Sequence, residues 1–385
     1  MRIVFFTNCY KPLINGVVSS IVSLKGAFEK KGHEIYIFAP KVGGYTDEEK
    51  NIFRYHSVNL TQKVKYPIAI PLSFEAGRVI SSFNPDIIHL HHPFVLSLPA
   101  LMYAARLQIP NVLTLHTQYE RYSYYVPAIP HNITSEAIRR IVFSLADKVD
   151  IITTPSQSMK ELINRYGITK EIVVIPNAID IDIFRNKNKE QGEILKKELR
   201  LAPDEIVILY VGRVSIEKDI DKIIKALAII RDQNITNFQF IVVGEGTALE
   251  QIKDLADSLN LADKVKFTGA VSRELIKHYY QIADIFAFSS TSETFGIVII
   301  EALASGLPIL AVKAPGAVDI ITDGFNGILA ENDIANFAEH LSVLIQDKGL
   351  RQRLSKNAQQ TAKKYCIDTV ADRVLELYER LIADN

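Results

Sequence analysis

A chain of 385 residues, 48% apolar and 23% charged, has the balance of a globular protein and the length of two ordinary domains, which excludes a disordered or fibrous chain. Lys plus Arg and Asp plus Glu both number 44, so the chain is not a polycation and no nucleic-acid partner is expected. Its two cysteines, Cys9 and Cys366, offer neither a disulfide framework nor metal-ligand spacing, and no run approaches the ~20 apolar residues of a membrane span.

From the N-terminus, Ile3–Thr7 is predicted as a strand, too short for the apolar core of a signal peptide. A polar loop then leads to an amphipathic helix over Val17–Lys31, stopped by Gly32. Further strands are expected at Ile35–Phe38, Ile87–Leu90, Val112–Leu115 and Ile151–Thr153. The pattern restarts with strands at Ile206–Val211, Phe238–Val243, Val265–Phe267, Ile285–Phe288 and Ile309–Val312, separated by helices at Asp219–Asp232, Ala248–Leu259 and Ile297–Ser305. A helix over Ile367–Ala383 closes the chain with no strand after it. Two successive sets of five strands in α/β alternation imply two Rossmann-like, doubly wound domains. The expected division is 1–176, 177–366, and a final helical segment 367–385 that can pack back on the first domain. Ligands of such sheets lie beyond the carboxyl ends of the strands, so two facing domains would hold one substrate on each side of a cleft.

The zero net charge hides an asymmetry. Residues 1–170 hold 19 Lys and Arg against 12 Asp and Glu, and the remaining 215 hold 25 against 32. The first half is therefore the better candidate to meet an anionic partner.

Several loops carry chemistry. After the first strand, Gly16 opens a helix whose free amides suit an anion, or else Asn15-Gly16 is only a tight turn. Between Val211 and the next helix, Arg213 and Lys218 can converge on one diphosphate, the Arg as a fork and the Lys as a point charge; two solvated surface cations are the plain alternative. Gly244-Glu245-Gly246 lacks the third glycine of a dinucleotide fingerprint, which argues against a dehydrogenase. In Ser292-Glu293-Thr294-Phe295-Gly296-Ile297-Val298-Ile299-Ile300-Glu301, two glutamates bracket an apolar run that opens with glycine. Glu293 in the loop suits sugar hydroxyls, the amides at Phe295 and Gly296 can donate to the same ligand, and Glu301 in the second helical turn suits a ribose. Acids favoured by a helix dipole explain one glutamate well and the pair less well.

Together, Gly16, the Arg213/Lys218 pair, the Glu293/Glu301 pair and Pro176-Asn177-Ala178-Ile179-Asp180 resemble the family-4 retaining glycosyltransferases over nearly the whole chain, with Ala178 where that motif more usually has glycine. The resemblance implies the GT-B architecture, two facing Rossmann-like domains with an interdomain cleft. It implies a nucleotide-sugar site from Gly16, Arg213, Lys218, Glu293, Thr294, Phe295, Gly296, Ile297 and Glu301. It also implies a histidine at the end of a first-domain strand, which His116 supplies. His116, Arg213, Lys218 and Glu293 are thereby the expected catalytic residues, without cofactor or metal, the nucleotide sugar being a co-substrate. His89, His91 and His92 look like a metal cluster at first glance, but no carboxylate or cysteine accompanies them.

The acceptor is expected on the first domain, where tyrosines and cations mingle: Lys63, Lys65 and Tyr66, then Tyr119, Arg121 and Tyr122, with Arg139 and Arg140 nearby. These stretches resemble the diacylglycerol glucosyltransferase branch of the family. That implies a UDP-sugar donor, a lipid acceptor, an anionic membrane surface as partner and a cytoplasmic, peripheral location on the inner face of the membrane. A soluble or phosphatidylinositol acceptor is the alternative within the family. From other classes come a nucleotide-sugar epimerase of the same fold and a binding protein that kept the fold without activity.

Overall fold

The structure, a computed structural model, describes residues 1–13, 15–59, 67–118, 131–186 and 188–385, with the backbone alone at 131–133. The chain divides into two compact units, Met1–Ala178 with Ile367–Asn385, and Ile179–Cys366. The last segment thus belongs to the first unit, and the division falls after Ala178.

The first unit runs β1 (Arg2–Phe6), α1 (Gly16–Lys30), β2 (Glu34–Pro40), β3 (Ile52–Tyr55), β4 (Ser57–Val58), β5 (Ile68–Ala69), α2 (Phe74–Phe83), β6 (Ile87–Leu90), α3 (Ser97–Leu107), β7 (Asn111–Thr114), α4 (His131–Ala146), β8 (Ile151–Thr154), α5 (Gln157–Arg165) and β9 (Ile172–Val174). Seven strands form one sheet in the order β3-β2-β1-β6-β7-β8-β9, every pair parallel, while β4 and β5 make a small antiparallel pair. Alternation sorts the strand residues onto two faces: Ile3, Phe5, Ile35 and Ile37 join one core, and Val4, Phe6, Phe38 and Ile88 the other.

The second unit runs α6 (Ile181–Arg185), α7 (Lys189–Glu198), β10 (Ile206–Val211), α8 (Ile220–Asp232), β11 (Phe238–Val243), α9 (Leu249–Ser258), β12 (Val265–Gly269), α10 (Arg273–Ile282), β13 (Ile285–Phe288), α11 (Ile297–Ala304), β14 (Ile309–Val312), β15 (Gly327–Ala330), α12 (Ile334–Gln346) and α13 (Lys348–Ala362). Its parallel sheet is ordered β12-β11-β10-β13-β14-β15. Val207, Leu209 and Val211 face one core, and Ile208 and Tyr210 the other.

The closing helix α14 (Ile367–Ala383) returns to the first unit, burying Ala371, Val374, Leu375, Leu377 and Tyr378 in the core that also holds α1. Polar ties fix it there: Lys31 Nζ lies 2.7 Å from Asp372, and Arg373 donates to the Val174 carbonyl at 2.9 Å.

Both sheets exceed the five strands expected for each. The additions have a common physical cause. Ile52–Tyr55 and Ile172–Val174 are short edge strands, and Gly327–Ala330 opens with a glycine. Short edges need little apolar alternation, because one flank and part of each face meet solvent.

Both sheets reverse their strand order beside the first strand of the unit, between β1 and β6 and between β10 and β13. Loops leaving neighbouring strands there run to opposite faces and leave a crevice, the expected place for a ligand.

Candidate active site

In the second unit, the loops that leave β10 and β13 meet at this reversal. The β10 loop carries Arg213 and ends in a single 3-10 turn, Ile216–Lys218. The β13 loop is a run of hydroxyls, and each one binds the other loop. Ser289 Oγ donates to the Lys218 carbonyl at 3.0 Å, and Ser290 and Ser292 donate to the Glu217 carbonyl at 3.2 and 3.1 Å. Thr291 donates to Asp219 Oδ2 at 3.2 Å. This lacing brings Lys218 Nζ onto Glu293 Oε1, an ion pair whose side chains are only 13% and 25% exposed.

Beyond Glu293 the chain turns into α11, with Gly296 as the capping residue; no side chain caps that end. The first-turn amides of a helix have no partner within it, so this end suits a diphosphate or hydroxyl acceptor. Thr294 and Ile297 flank the cap, while the Phe295 ring packs into the core, edge-on to Tyr365 at 5.8 Å. Only the backbone of Phe295 is placed for a ligand. Glu301 sits in the second turn of α11, as the spacing predicts. Burial pushes its carboxyl up to about 7, against the pull of a hydrogen bond from Tyr280 and the charge of Arg273.

Three supports escaped sequence reading. Gly244 and Gly246 are where the β11 loop crosses the β10 loop. A Cβ at Gly244 would lie 1.9 Å from the Gly212 carbonyl oxygen, and one at Gly246 2.1 Å from that of Val214. These glycines serve loop crossing, which explains a glycine pair without a dinucleotide fingerprint. Gly316, in the loop after β14, backs Glu293 closely enough that a Cβ would lie 3.0 Å from both its Cβ and its carbonyl oxygen. Tyr280 reaches Glu301 from α10. The hydroxyl run Ser289–Ser292 was the one legible signal: four consecutive small donors after a strand is a loop that needs partners.

In the first unit, Gly16 begins α1, capped by Asn15, whose Oδ1 accepts from the Val18 amide at 2.9 Å. His116 follows β7, and its surroundings are a buried histidine group. His89 in β6 and His91, just past its end, stack at 4.1 Å. His91 Nδ1 lies 3.1 Å from His116 Nε2. His89 meets Thr114 at 2.6 Å and the Tyr378 hydroxyl. A small cavity between this sheet, α1 and α14 is lined by His89, His91, His116, Thr114, Thr153 and Tyr378. Burial pushes His89 down to about 3 and His92 to about 4, and His91 and His116 well below the usual range, so all are neutral at physiological pH. His92 points elsewhere: its Nδ1 accepts from the Asn8 amide at 3.2 Å and its Nε2 faces Cys9 at 3.5 Å, securing the loop after β1. Among the described residues no group of three or more His, Cys, Asp or Glu side chains is arranged to hold a metal ion.

The expected acceptor residues Lys63, Lys65, Tyr66, Tyr119, Arg121 and Tyr122 lie outside the described residues. Arg139 and Arg140 both reach Glu136, one turn earlier on α4, which offsets part of their charge. Among the described residues no helix is long and apolar enough to cross a membrane.

Comparison with known proteins agrees with this layout. Residues 14–183 match the family described as Glycosyltransferase Family 4, and residues 191–361 match Glycosyl transferases group 1. The chain is 30% identical to the alpha-monoglucosyldiacylglycerol synthase of Acholeplasma laidlawii, over 100% of this chain and 98% of that one. It is 32% identical to the synthase of the same name from Streptococcus pneumoniae, over 87% of this chain and 77% of that one. Among solved structures, Anabaena HepE in complex with UDP superposes with a TM-score of 0.81 at 20% identity, covering 99% of this chain and 100% of that one, a likeness of GT-B fold.

Proposed function

The chain belongs to glycosyltransferase family 4, and from that premise we propose that it moves glucose from UDP-glucose to the free hydroxyl of diacylglycerol, with retention at the anomeric carbon and without a metal. The observation that carries this reading is the meeting of Lys218 with Glu293, just before the start of α11, at the strand-order reversal of the second unit, with Arg213 earlier on the loop that carries Lys218. A diphosphate leaving group needs positive charge where its own negative charge grows, and Lys218 and Arg213 with the helix amides supply it. Glu293 takes sugar hydroxyls and Glu301 takes the ribose. Attack from the face of departure, with the leaving phosphate oxygen taking the acceptor proton, needs no carboxylate beside the anomeric carbon. Diacylglycerol is favoured as acceptor by the names of the two relatives at 30 and 32% identity. The match of both halves to transferase families leaves the epimerase reading without support.

A panel of UDP- and GDP-sugars against diacylglycerol, phosphatidylinositol and soluble alcohols, read by product mass, tests the assignment. The expected product is glucosyldiacylglycerol from UDP-glucose. Transfer to a soluble alcohol alone moves the acceptor to the alternative, and turnover of donor with no acceptor restores the epimerase.

A lipid acceptor requires docking at a bilayer, and exposed apolar side chains on the first unit support that reading. Between the β4–β5 pair and α2, Leu72 is 78% and Phe74 94% exposed, with Ile68 and Ile70 beside them in sequence. Apolar side chains on the unit with the basic surplus suit an anionic interface. Vesicle sedimentation is expected to rise with anionic lipid and fall with salt as the Debye length shortens. Replacing Leu72 and Phe74 by serine removes most of the apolar insertion and lowers binding by roughly tenfold or more. Lys63→Glu with Lys65→Glu weakens it too, and neither pair of changes alters UDP affinity. Wild-type protein that stays in the supernatant at low salt on every anionic composition removes the membrane from the reading.

A further inference from the structure

Glu301 does not act alone on α11. Tyr280, near the end of α10, donates from its hydroxyl to Glu301 Oε2 at 2.7 Å. The ring is fully buried, edge-on to Phe184 at 5.5 Å and tilted against Phe286 at 5.8 Å, so the hydroxyl is a fixed point of the second unit's core. Burial first, and the adjacent Glu301 charge second, hold the phenol well above its usual range, so toward a carboxylate it acts only as donor. Its other acceptor is the Val298 carbonyl at 3.4 Å, a longer contact on the same helix.

A carboxylate offers two oxygens, and Tyr280 engages one of them. We propose that Tyr280 is a positioning residue for the nucleotide: by holding Oε2 it orients Glu301, leaves Oε1 for the ribose hydroxyls and favours the charged, accepting form of the carboxylate. This role rests on the assignment of Glu301 to the ribose. It makes nucleotide affinity depend on pH in a defined direction. The groups that act on Glu301 are Tyr280 and Arg273, both from α10, and Tyr210 on β10 acts on Tyr280 in turn. Burial raises Glu301 to about 7 while Tyr280 and Arg273 restrain the rise. Ribose hydroxyls donate to a carboxylate, and a protonated carboxyl offers them a poorer acceptor. Affinity therefore falls as pH drops through the Glu301 pKa. Without the phenol, proton uptake begins at higher pH.

The test is calorimetric titration with UDP, and with GDP in parallel, across the neutral pH range for the wild type, Tyr280→Phe and Glu301→Gln. Tyr280→Phe is expected to bind UDP more weakly than the wild type at the alkaline end, where only the orienting contact is lost, and to show its midpoint about one pH unit higher, the scale of one hydrogen bond to a charged acceptor. Glu301→Gln is expected to bind weakly at every pH with no enzyme-derived midpoint. The nucleotide's own phosphate titrates near about pH 6 in every sample and cancels in the comparison. Fluorotyrosine at position 280, a stronger donor of similar size, is expected to move the midpoint downward, and it serves if the phenylalanine variant does not fold. An unmoved midpoint in the position-280 protein, with Glu301→Gln still weakened, overturns the positioning role and spares the ribose assignment. Wild-type affinity in Glu301→Gln overturns the ribose assignment, and Tyr280 with it.

Discussion

Lys218→Ala and Arg213→Ala are each expected to lower turnover by about 10²–10³-fold at saturating donor, the usual scale for losing one preorganised group that stabilises developing charge. For Lys218 the reason extends beyond the missing cation. Its ammonium pairs with Glu293 in a setting where both side chains are mostly covered, and truncation leaves that carboxylate without its counter-charge. On the proposed reading, a diphosphate entering beside Lys218 competes with Glu293 for it. Glu293→Ala is therefore expected to lose transfer while UDP binding is not weakened. Lys218→Arg is not a mild change, because the planar fork replaces a point charge held by a short turn. Steady-state kinetics with each variant, and calorimetry with UDP, check these outcomes. Full activity in either alanine variant, or activity lost to a chelator and restored by a divalent cation, removes the metal-free clamp.

Gly244→Ala is expected to damage the same site from a distance. The residue adopts φ +142°, where a side chain is strained, and its Cβ would lie 1.9 Å from the carbonyl oxygen of Gly212. Neither partner is a flexible side chain, so the β10 and β11 loops must separate. Their hydrogen bonds, Gly212 N to Val243 O at 3.0 Å and Val214 N to Glu245 O at 2.9 Å, are the supports of Arg213. The change is expected to cost on the order of 2–4 kcal/mol in stability. For a unit of this size that lowers the melting temperature by roughly 5–15 °C. Turnover is expected to fall further than stability at the assay temperature explains, since Arg213 shifts with its loop. Gly26→Ala is the control: it lies inside α1 with nothing within 4 Å of its would-be Cβ, and helix propensity favours alanine. A melting temperature for Gly244→Ala equal to that of the control leaves the loop crossing without a structural role.

The sequence by itself determined the architecture and the chemical alphabet of the site. Strands such as Ile87–Leu90, Phe238–Val243 and Ile309–Val312 were legible to the residue, because a parallel strand covered on both faces is a nearly continuous apolar run, interrupted here only by His89 and Gln239. Glu293 in a loop and Glu301 one turn into a helix followed from a glycine before an apolar run. What depends on long-range contact was decided only by the tertiary structure. The edge strands Ile52–Tyr55 and Ile172–Val174 take their identity from the neighbour they pair with, β2 for one and β8 for the other. Lys218 and Glu293 are 75 residues apart and meet because two neighbouring strands end at the same rim and a row of hydroxyls laces their loops. His116 reads in sequence as a lone histidine after a strand, yet folding stacks it on His91 and strips it of charge by burial. Tyr280 has no local signal at all: its hydroxyl matters only because α10 and α11 bring it to Glu301, a contact set by packing and invisible to any pattern of neighbours along the chain.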